Sequence, residues 1–233
     1  MKKPIIGIVS KNITIEDFYG WQWQRICDSV RYALVKNDAI VIGILPQRNS
    51  QRFSLEDEHE EIEIDKEEIK MLETTLKLCD GIILQGGISS NNYEEYIAKY
   101  CYEKDIPCMG ICAGFNNMIR ALGGTTKNLE SIDIHDRPDL KYAHSCKVID
   151  KNSRFYQIVR QEKFEVNSVH TYIADKVPDC LKVVAKSGDG QVEVIENSSK
   201  KFFIGIKYHP ELLVDYDEKQ NRIFEEFVYT CKN

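Results

Sequence analysis

The sequence predicts an α/β protein of three layers, α/β/α, in which helices cover both faces of a mostly parallel central sheet that carries a small antiparallel extension. In the first half, short apolar runs alternate with helical periodicity, which is the pattern of β-α-β winding. In the second half, the apolar runs are joined by short turns, which is the pattern of hairpins. No Gly-, Pro- or Ser-rich linker divides the chain, so we expect a single domain over residues 1–233.

The composition excludes several classes of function. Lys and Arg total 31 against 37 Asp and Glu, which gives a net charge of −6 and leaves no basic face for nucleic acid. No apolar run approaches the roughly 18 to 20 residues that a membrane span needs, so no membrane partner is expected. The eight cysteines show no paired spacing, which indicates reduced thiols and a cytoplasmic location.

The parallel part of the sheet is predicted from four apolar runs that end at turn signals, at residues 5–9, 39–45, 81–84 and 106–111. The helices between them are predicted from apolar residues at three- and four-residue steps, over 23–34, 69–79 and 93–101. The carboxylate-rich stretch 56–68 is expected to be a solvated loop and first helical turn rather than a site for a cation or a basic partner. Acidic groups there suit the positive end of the helix dipole.

The antiparallel extension is predicted from apolar runs at residues 145–149, 180–186 and 191–195. The last two are joined by Ser187-Gly188-Asp189-Gly190, a sequence typical of a tight turn. A further buried strand at 203–207 and a C-terminal helix with an apolar face over 223–231 complete the expected fold.

The most informative motif is Gly110-Ile111-Cys112-Ala113-Gly114, which lies between a buried strand and the helical stretch 115–122. A cysteine between two glycines at this place predicts a nucleophile elbow, because a strand that turns abruptly into a helix leaves no room for side chains beside the nucleophile. The helix N-terminus stabilises a thiolate, and the amide of Ala113 points to where an oxyanion would form. We expect an exposed thiol; a lone cysteine without the glycines would more often be a buried hydrophobe.

A thiol nucleophile needs a base, and among the five histidines only His209 directly follows a buried strand. Glu211 lies two residues further on, and Pro210 fixes the backbone between them so that the carboxylate can orient the imidazole. Gly87, in a glycine pair after the strand 81–84, offers a second amide for an oxyanion. Together these residues predict a Cys-His-Glu triad with an oxyanion hole.

Three further features carry weaker expectations. Residues 166–170 form a polar strand end that either binds the amino and carboxylate groups of a substrate or is a capped loop. The histidines and cysteines do not fall at zinc-ligand spacing, so no structural metal is expected. Tyr19 and Trp21 are candidates either for the pocket wall or for a subunit contact, which leaves a homodimer open.

The motifs Gly86-Gly87, Gly110-Ile-Cys-Ala-Gly114 and His209-Pro-Glu211 together resemble the class I glutamine amidotransferase-like family. Val166-Asn-Ser-Val-His170 and Asp189-Gly190 with Glu193 resemble its branch that hydrolyses γ-glutamyl amides, typified by γ-glutamyl-γ-aminobutyrate hydrolase. The resemblance implies a flavodoxin-like fold, and it implies these site residues: the nucleophile Cys112, the base His209, the orienting acid Glu211, oxyanion amides at Gly87 and Ala113, and substrate contacts at Asn116, Ser168, Val169 and His170.

The resemblance further implies hydrolysis of a small-molecule γ-glutamyl amide through a cysteine thioester, without a cofactor. One alternative is a glutaminase that supplies ammonia to a separate synthetase partner, and another is a catalytically silent binding or regulatory protein. The chain departs from the branch at Ala113, at Lys207-Tyr208 and in a shorter stretch 88–105, and from the amidotransferases at Asn116. These departures touch the substrate side rather than the triad. The reaction class is therefore better defined than the group attached to glutamate.

Overall fold

The centre of the molecule is a nine-stranded sheet. The computed structural model describes residues 2–15, 21–47, 59–61, 63–87, 90–129 and 134–232. In chain order the strands of the described part are β1 (Ile5–Val9), β2 (Lys11–Ile15), β3 (Trp21–Arg25), β4 (Ile40–Ile44), β5 (His59–Glu60), β6 (Gly81–Leu84), β7 (Ser90–Asn91), β8 (Cys108–Ile111), β9 (Thr125–Asn128), β10 (His144–Val148), β11 (Lys163–Val166), β12 (Tyr172–Lys176), β13 (Lys182–Ser187), β14 (Val192–Glu196) and β15 (Phe203–Ile206). The helices are α1 (Asp28–Lys36), α2 (Lys66–Leu76), α3 (Asn92–Lys104), α4 (Ala113–Ala121), α5 (Arg154–Val159) and α6 (Glu218–Lys232), with a 3-10 turn at Pro210–Leu212.

The strand order of the large sheet is β11-β10-β13-β14-β15-β8-β6-β1-β4. The five strands from β15 to β4 are parallel to one another, and the four from β11 to β14 continue the sheet in antiparallel pairs. The predicted α/β class is therefore confirmed, with a parallel core and an antiparallel portion. That portion is larger than the small extension expected, because β11 adds a strand that the sequence analysis did not identify.

Two apolar cores lie on opposite faces of the sheet. Helices α1, α5 and α6 pack on one face, where Leu34 and Phe227 contribute to the core that includes Ile83. Helices α2, α3 and α4 pack on the other face, where Phe115 joins the core that includes Ile82. Neighbouring residues of β6 thus point to opposite sides, as the period of a strand requires. This arrangement gives the three layers that the sequence predicts.

The first helix is shorter than predicted, because residues 21–25 form β3, which pairs with β2 in a separate two-stranded ribbon. Helix α1 begins only at Asp28, and Trp23 is 48% exposed. The alternating Trp-Gln-Trp-Gln sequence has the two-residue period of a strand, and this period overrides the helical step from Trp23 to Ile26. Tyr19 and the side chain of Trp21 lie outside the described residues, so their expected roles stay predictions.

Short polar elements account for most other differences from the sequence analysis. The ribbon of β9 and β12 and the helix α5 were not identified, since their sequences lack a long apolar pattern. The acidic stretch is a helical start as expected, since Asp65 caps α2 by accepting hydrogen bonds from the amides of Glu67 and Glu68. It is not a solvated loop throughout, because residues 59–60 form β5, which pairs with β7, and Glu68 is buried and accepts a hydrogen bond from the Gln47 amide. Residues 56–58 and 62 lie outside the described part. None of the described helices combines the length and hydropathy that crossing a membrane requires.

Candidate active site

Cys112 lies at the sharp turn between β8 and α4. Its backbone has φ 51° and ψ −101°, an uncommon conformation for a residue with a side chain. A Cβ atom on Gly114 would lie 2.0 Å from the carbonyl oxygen of Leu84, and one on Gly110 would lie 2.6 Å from the carbonyl oxygen of Gly114. The two glycines are therefore required by close backbone contacts, as the predicted elbow demands.

The thiol is buried rather than exposed, which corrects the sequence expectation. Cys112 is 7% exposed, and its Sγ lies 3.8 Å from the carbonyl oxygen of Val169. The segment after β11 covers the thiol from this side, and the sequence pattern around the elbow gives no information about that segment. Cys112 instead lines a pocket of about 310 Å³ together with Gly87, Ala113, Asn116, Asp136, Val169, His170, Thr171, Lys207 and His209.

The imidazole of His209 links the thiol to a carboxylate. Its Nδ1 lies 2.7 Å from Oε1 of Glu211, which is almost fully buried. The 3-10 turn that begins at Pro210 brings the carboxylate back to the ring. A Cβ atom on Gly86 would lie 2.7 Å from Cε1 of His209 and 3.5 Å from the Cβ of Cys112, so the imidazole and the thiol both lie against this turn. The three side chains that the sequence proposed as a triad are thus close together.

Asn167 fixes the backbone of His209, a contact that sequence reasoning missed. Its Oδ1 accepts a hydrogen bond from the His209 amide and its Nδ2 donates one to the His209 carbonyl oxygen, both at 2.8 Å. Because both backbone groups are held, the imidazole has a defined position relative to the thiol. Asn167 directly follows β11, and this polar position is the sequence signal for the contact. The sequence alone predicts only a substrate-binding or capped segment there.

Electrostatics favour a charged pair at the site. Burial is the largest single effect and raises the pKa of the Cys112 thiol, but the His209 imidazole and the Lys207 ammonium together lower it by more, and the balance lies at about 7. Burial lowers the pKa of His209, whereas the Glu211 carboxylate and Cys112 raise it, so that it lies well above its ordinary value. A thiolate beside an imidazolium is the state that these opposing effects favour near neutral pH.

The proposed oxyanion residues come from two different elements that both reach the pocket at Cys112. Ala113 is the first residue of α4, where backbone amides have no partner within the helix, and Gly87 ends the turn after β6. Gln85 anchors that turn: its Nε2 donates to the Val9 carbonyl oxygen at 2.7 Å, and its Oε1 accepts from the Cys27 amide at 2.6 Å. Gly87 and Ala113 both line the pocket at Cys112, which is where an oxyanion hole is needed.

The proposed substrate residues divide into two groups. Asn116, Val169 and His170 line the pocket, whereas Ser168 is fully buried behind it and donates its hydroxyl to the His135 carbonyl oxygen at 2.8 Å. The hydroxyl of Ser168 is therefore not available to a substrate in this arrangement. Lys207 lines the pocket as well, and its Nζ donates to Oδ1 of Asn116 at 3.0 Å.

Asp136 and Thr171 also line the pocket, and sequence reasoning identified neither of them. Asp136 pairs with Val169 in an isolated antiparallel bridge, so residues 134–137 and 168–171 form one wall. This pairing joins segments about thirty positions apart, and neither has an apolar alternation that would indicate a strand.

Adjoining that wall is a buried group of four side chains, His135, His144, His170 and Glu193, which we call the histidine cluster. Burial lowers the pKa of His144 and of His170 and raises that of Glu193 to about 8. The expectation of no structural metal rested on linear spacing, and the fold brings together residues that this spacing could not connect. Imidazole and carboxylate groups are the donor types of a zinc site.

The chain resembles known proteins over most of its length. The Peptidase C26 family matches residues 88–211, slightly more than half of the chain. A subunit of the glutamine-hydrolyzing GMP synthase of Methanobrevibacter smithii is 34% identical over 158 residues, which cover 65% of this chain and 73% of that protein. Gamma-glutamyl-gamma-aminobutyrate hydrolase PuuD of Escherichia coli K12 is 27% identical over 196 residues, with 71% and 77% covered.

Longer GMP synthases are also relatives, and the chain spans less than a third of their length. Among solved structures, the glutaminase domain of Trypanosoma brucei CTPS with bound acivicin superposes with a TM-score of 0.67 at 16% identity, covering 98% of this chain and 94% of that one. This likeness confirms the fold implied by the motifs. The chain belongs to the Peptidase C26 family, among the class I glutamine amidotransferase-like cysteine amidohydrolases.

Proposed function

We propose that this protein hydrolyses the γ-glutamyl amide bond of a γ-glutamyl-amine conjugate and releases glutamate and the amine. The observation that carries the proposal is the convergence of Cys112, at the elbow before α4, and the hydrogen-bonded pair of His209 and Glu211 at one pocket. A thiol with a pKa of about 7 is substantially ionised at neutral pH and acts as a nucleophile without a further activating group.

In the proposed mechanism, the Cys112 thiolate attacks the γ-carbonyl carbon, and the amides of Gly87 and Ala113 stabilise the resulting oxyanion. The His209 imidazolium gives its proton to the amine as the C–N bond breaks, which leaves a γ-glutamyl thioester on the sulfur. The neutral imidazole then takes a proton from water, the hydroxide attacks the thioester, and glutamate leaves. Glu211 keeps the ring in one orientation throughout.

The charged groups of the pocket support a glutamyl substrate. Lys207 and Asp136 both line the pocket, where the first offers a cation for an α-carboxylate and the second an anion for an α-amino group. Opposite charges in one pocket suit a zwitterionic amino acid whose side chain reaches Cys112. This placement concerns the glutamyl part of the substrate and does not define the leaving group.

The relationship to the GMP synthase of Methanobrevibacter smithii favours a second candidate, in which glutamine is the substrate and ammonia passes to a synthetase. The chemistry at Cys112 is the same in both cases, because only the leaving group differs. Under the first candidate the free protein turns over γ-glutamyl amines efficiently. Under the second, glutamine is preferred and turnover rises when the partner is present.

A glutamate-release assay over glutamine and a panel of γ-glutamyl amines tests these candidates. We expect the free wild-type protein to prefer at least one γ-glutamyl amine over glutamine by its kcat/KM. Cys112→Ala should reduce turnover by at least about a thousandfold, since the nucleophile is lost. Cys180→Ala is the matched control, because Cys180 is an exposed free cysteine far along the chain from the elbow and its loss should leave turnover unchanged.

Three outcomes would contradict the proposal in different ways. A strong preference for glutamine would move the assignment to the glutaminase candidate. Retention of turnover by Cys112→Ala would remove the thioester mechanism altogether. Absence of turnover on every substrate, combined with no preferential labelling of Cys112 by iodoacetamide, would favour a catalytically silent binding protein of the same fold.

A further inference from the structure

The histidine cluster adjoins the active-site pocket, which its His170 lines. One ligand-type atom from each of its four residues lies within 4.8 Å of the other three. His135 and Glu193 are fully buried, and His144 and His170 are 7% and 6% exposed. Burying four polar side chains together is costly unless each of them has a partner.

Within the part of the chain that the structure describes, six atoms of the cluster have no hydrogen-bond partner. They are Nδ1 of His135, Nε2 of His144, both ring nitrogens of His170 and both carboxylate oxygens of Glu193. Nε2 of His144 and Oε1 of Glu193 lie 3.6 Å apart. This distance is too long for a hydrogen bond. The lone pairs of this cluster therefore lack a partner of the kind that stabilises buried groups elsewhere in the fold.

The remaining ring nitrogens of two histidines do have partners, and these are of the kind found around metal ligands. Nε2 of His135 lies 2.9 Å from Oδ2 of Asp189, and Nδ1 of His144 lies 3.3 Å from the Ser145 carbonyl oxygen. A histidine that binds a metal through one nitrogen commonly donates the other N–H to a carboxylate or a backbone carbonyl. The orientation of both rings thus leaves the opposite nitrogen free to face the centre of the cluster.

We propose that the histidine cluster binds one Zn²⁺ ion through His135, His144, His170 and Glu193. Nitrogen and oxygen donors in this number match the four-coordinate sites that zinc forms in proteins. Zinc bonds of about 2.0–2.1 Å place neighbouring ligand atoms about 3.4 Å apart, so binding would draw the side chains inward by at most about 1.4 Å. Side-chain rotations can supply a movement of this size.

The ion would have a structural role that positions the pocket wall. His135 and His170 belong to the two paired segments of that wall, and the His170 amide donates to the His135 carbonyl oxygen at 2.8 Å. His144 and Glu193 belong to strands β10 and β14 of the antiparallel portion. One ion would therefore tie the wall, including the Val169 carbonyl group beside Cys112, to the sheet. Four protein ligands fill a tetrahedral site, which leaves no position for a reacting water.

The test measures metal binding and needs no substrate, so it is independent of the proposed function. The purified protein is stripped with a chelator and titrated with Co²⁺, followed by displacement with Zn²⁺ and elemental analysis. We expect one equivalent per chain and the strong visible absorption of tetrahedral Co²⁺. Glu193→Gln should lose the site, whereas Glu165→Gln, at an exposed carboxylate on β11, should bind as the wild type does.

Two further variants keep the test decisive. Cys112→Ser should retain one equivalent, which separates the cluster from binding at the thiol and His209. Asp189→Asn leaves all four ligands in place and should weaken binding by about 10- to 100-fold through the loss of its support of His135. The proposal is overturned if the stripped wild type takes up no stoichiometric metal, or if Cys112→Ser loses binding that Glu193→Gln retains. The first result would also restore the expectation of no structural metal.

Discussion

Two buried polar clusters adjoin the pocket that Cys112 lines, one through His170 and one through the contact of its lysine with Gly87, and their polar groups are paired differently. One is the histidine cluster, and the other, which we call the lysine cluster, consists of Lys11, Glu94 and Asn117. Lys11 Nζ lies 2.6 Å from Oε2 of Glu94, and the Asn117 amide donates to the same oxygen. In the described part of the chain, one side-chain atom of the lysine cluster lacks a hydrogen-bond partner, whereas six of the histidine cluster do.

The lysine cluster supports the oxyanion turn with charges that the chain itself supplies. A Cβ atom on Gly87 would lie 3.1 Å from the aliphatic part of Lys11, so the turn packs against this side chain. Burial raises the pKa of Glu94 although Lys11 lowers it, which shows how strongly the site disfavours a carboxylate without its partner. The two clusters therefore differ in how their carboxylates are paired. Glu94 has a direct ion pair with Lys11. Within the described residues, both carboxylate oxygens of Glu193 lack a hydrogen-bond partner, and Lys207 acts on this group only through its charge.

The largest loss of stability is expected when the ion pair between Lys11 and Glu94 is broken. Lys11→Met leaves the Glu94 carboxyl buried without its counter-charge, and we expect a loss of about 3–5 kcal/mol in the free energy of unfolding. Urea denaturation followed by circular dichroism measures this loss. Activity should fall with it, because the turn that carries Gly87 loses its support.

The double variant Lys11→Met, Glu94→Gln is the control for charge. It removes both charges and should recover part of the stability lost in the single variant, since no uncompensated charge stays buried. Equal losses in the single and double variants would mean that packing of the lysine chain, and not its charge, stabilises this side. The lysine cluster would then not differ from the histidine cluster in the pairing of its buried charge.

The ionisation of the Cys112 thiol can be followed through its reactivity. The rate of Cys112 alkylation by iodoacetamide should rise with pH and reach half of its maximum near pH 7, because the thiolate is the reactive form and its pKa is about 7. His209→Asn removes the cation that lowers this pKa while burial still raises it. We expect the midpoint to move to the ordinary value of 9.0 or above.

Lys207→Met provides the graded comparison. Lys207 also lowers the pKa of the thiol, but by less than His209 does, so its loss should raise the midpoint by a smaller amount. Rates are measured over pH 5 to 10 with peptide mapping to identify the labelled cysteine. A midpoint that does not move in His209→Asn would show that the helix terminus alone sets the ionisation of Cys112.

The sequence predicts the elbow at Cys112 and the pairing of His209 with Glu211 because each depends on local chemistry. Gly110 and Gly114 mark a turn that only glycine permits, and His209-Pro-Glu211 places base and acid within one short turn. The parallel strands are predicted for a similar reason, since each is a continuous apolar run that ends at a turn. Local signals of this kind need no knowledge of the partner strand.

The parts that could not be predicted depend on contacts between distant segments. Val169 buries the thiol, and Asn167 fixes His209 across 42 positions of the chain. His135 and Glu193 meet although their sequence neighbourhoods share no motif, and Lys11 pairs with Glu94 across 83 positions. Spacing rules for metal ligands describe short loops, so a cluster built from strands and paired segments falls outside them.

The smallest expected effect tests the histidine cluster. A ligand that binds only the folded state stabilises it by RT ln(1 + [L]/Kd), so Zn²⁺ at ten times its dissociation constant should add about 1.4 kcal/mol to the free energy of unfolding. Wild-type protein should show this gain in urea denaturation with and without Zn²⁺, and Glu165→Gln should show the same gain. Glu193→Gln should show none, because it lacks the only carboxylate of the proposed ligand set.

Lys11→Met makes the comparison between the clusters direct. If the two sides are independent, Zn²⁺ should stabilise this weakened variant by the same amount as the wild type, since effects of separate sites add. A smaller gain would mean that loosening the lysine cluster also disturbs the wall that carries His135 and His170. If Zn²⁺ stabilises Glu193→Gln as much as the wild type, the ion binds elsewhere. Hydrogen bonds among neutral imidazoles and a protonated carboxyl group would then have to account for the six unpartnered atoms of the histidine cluster.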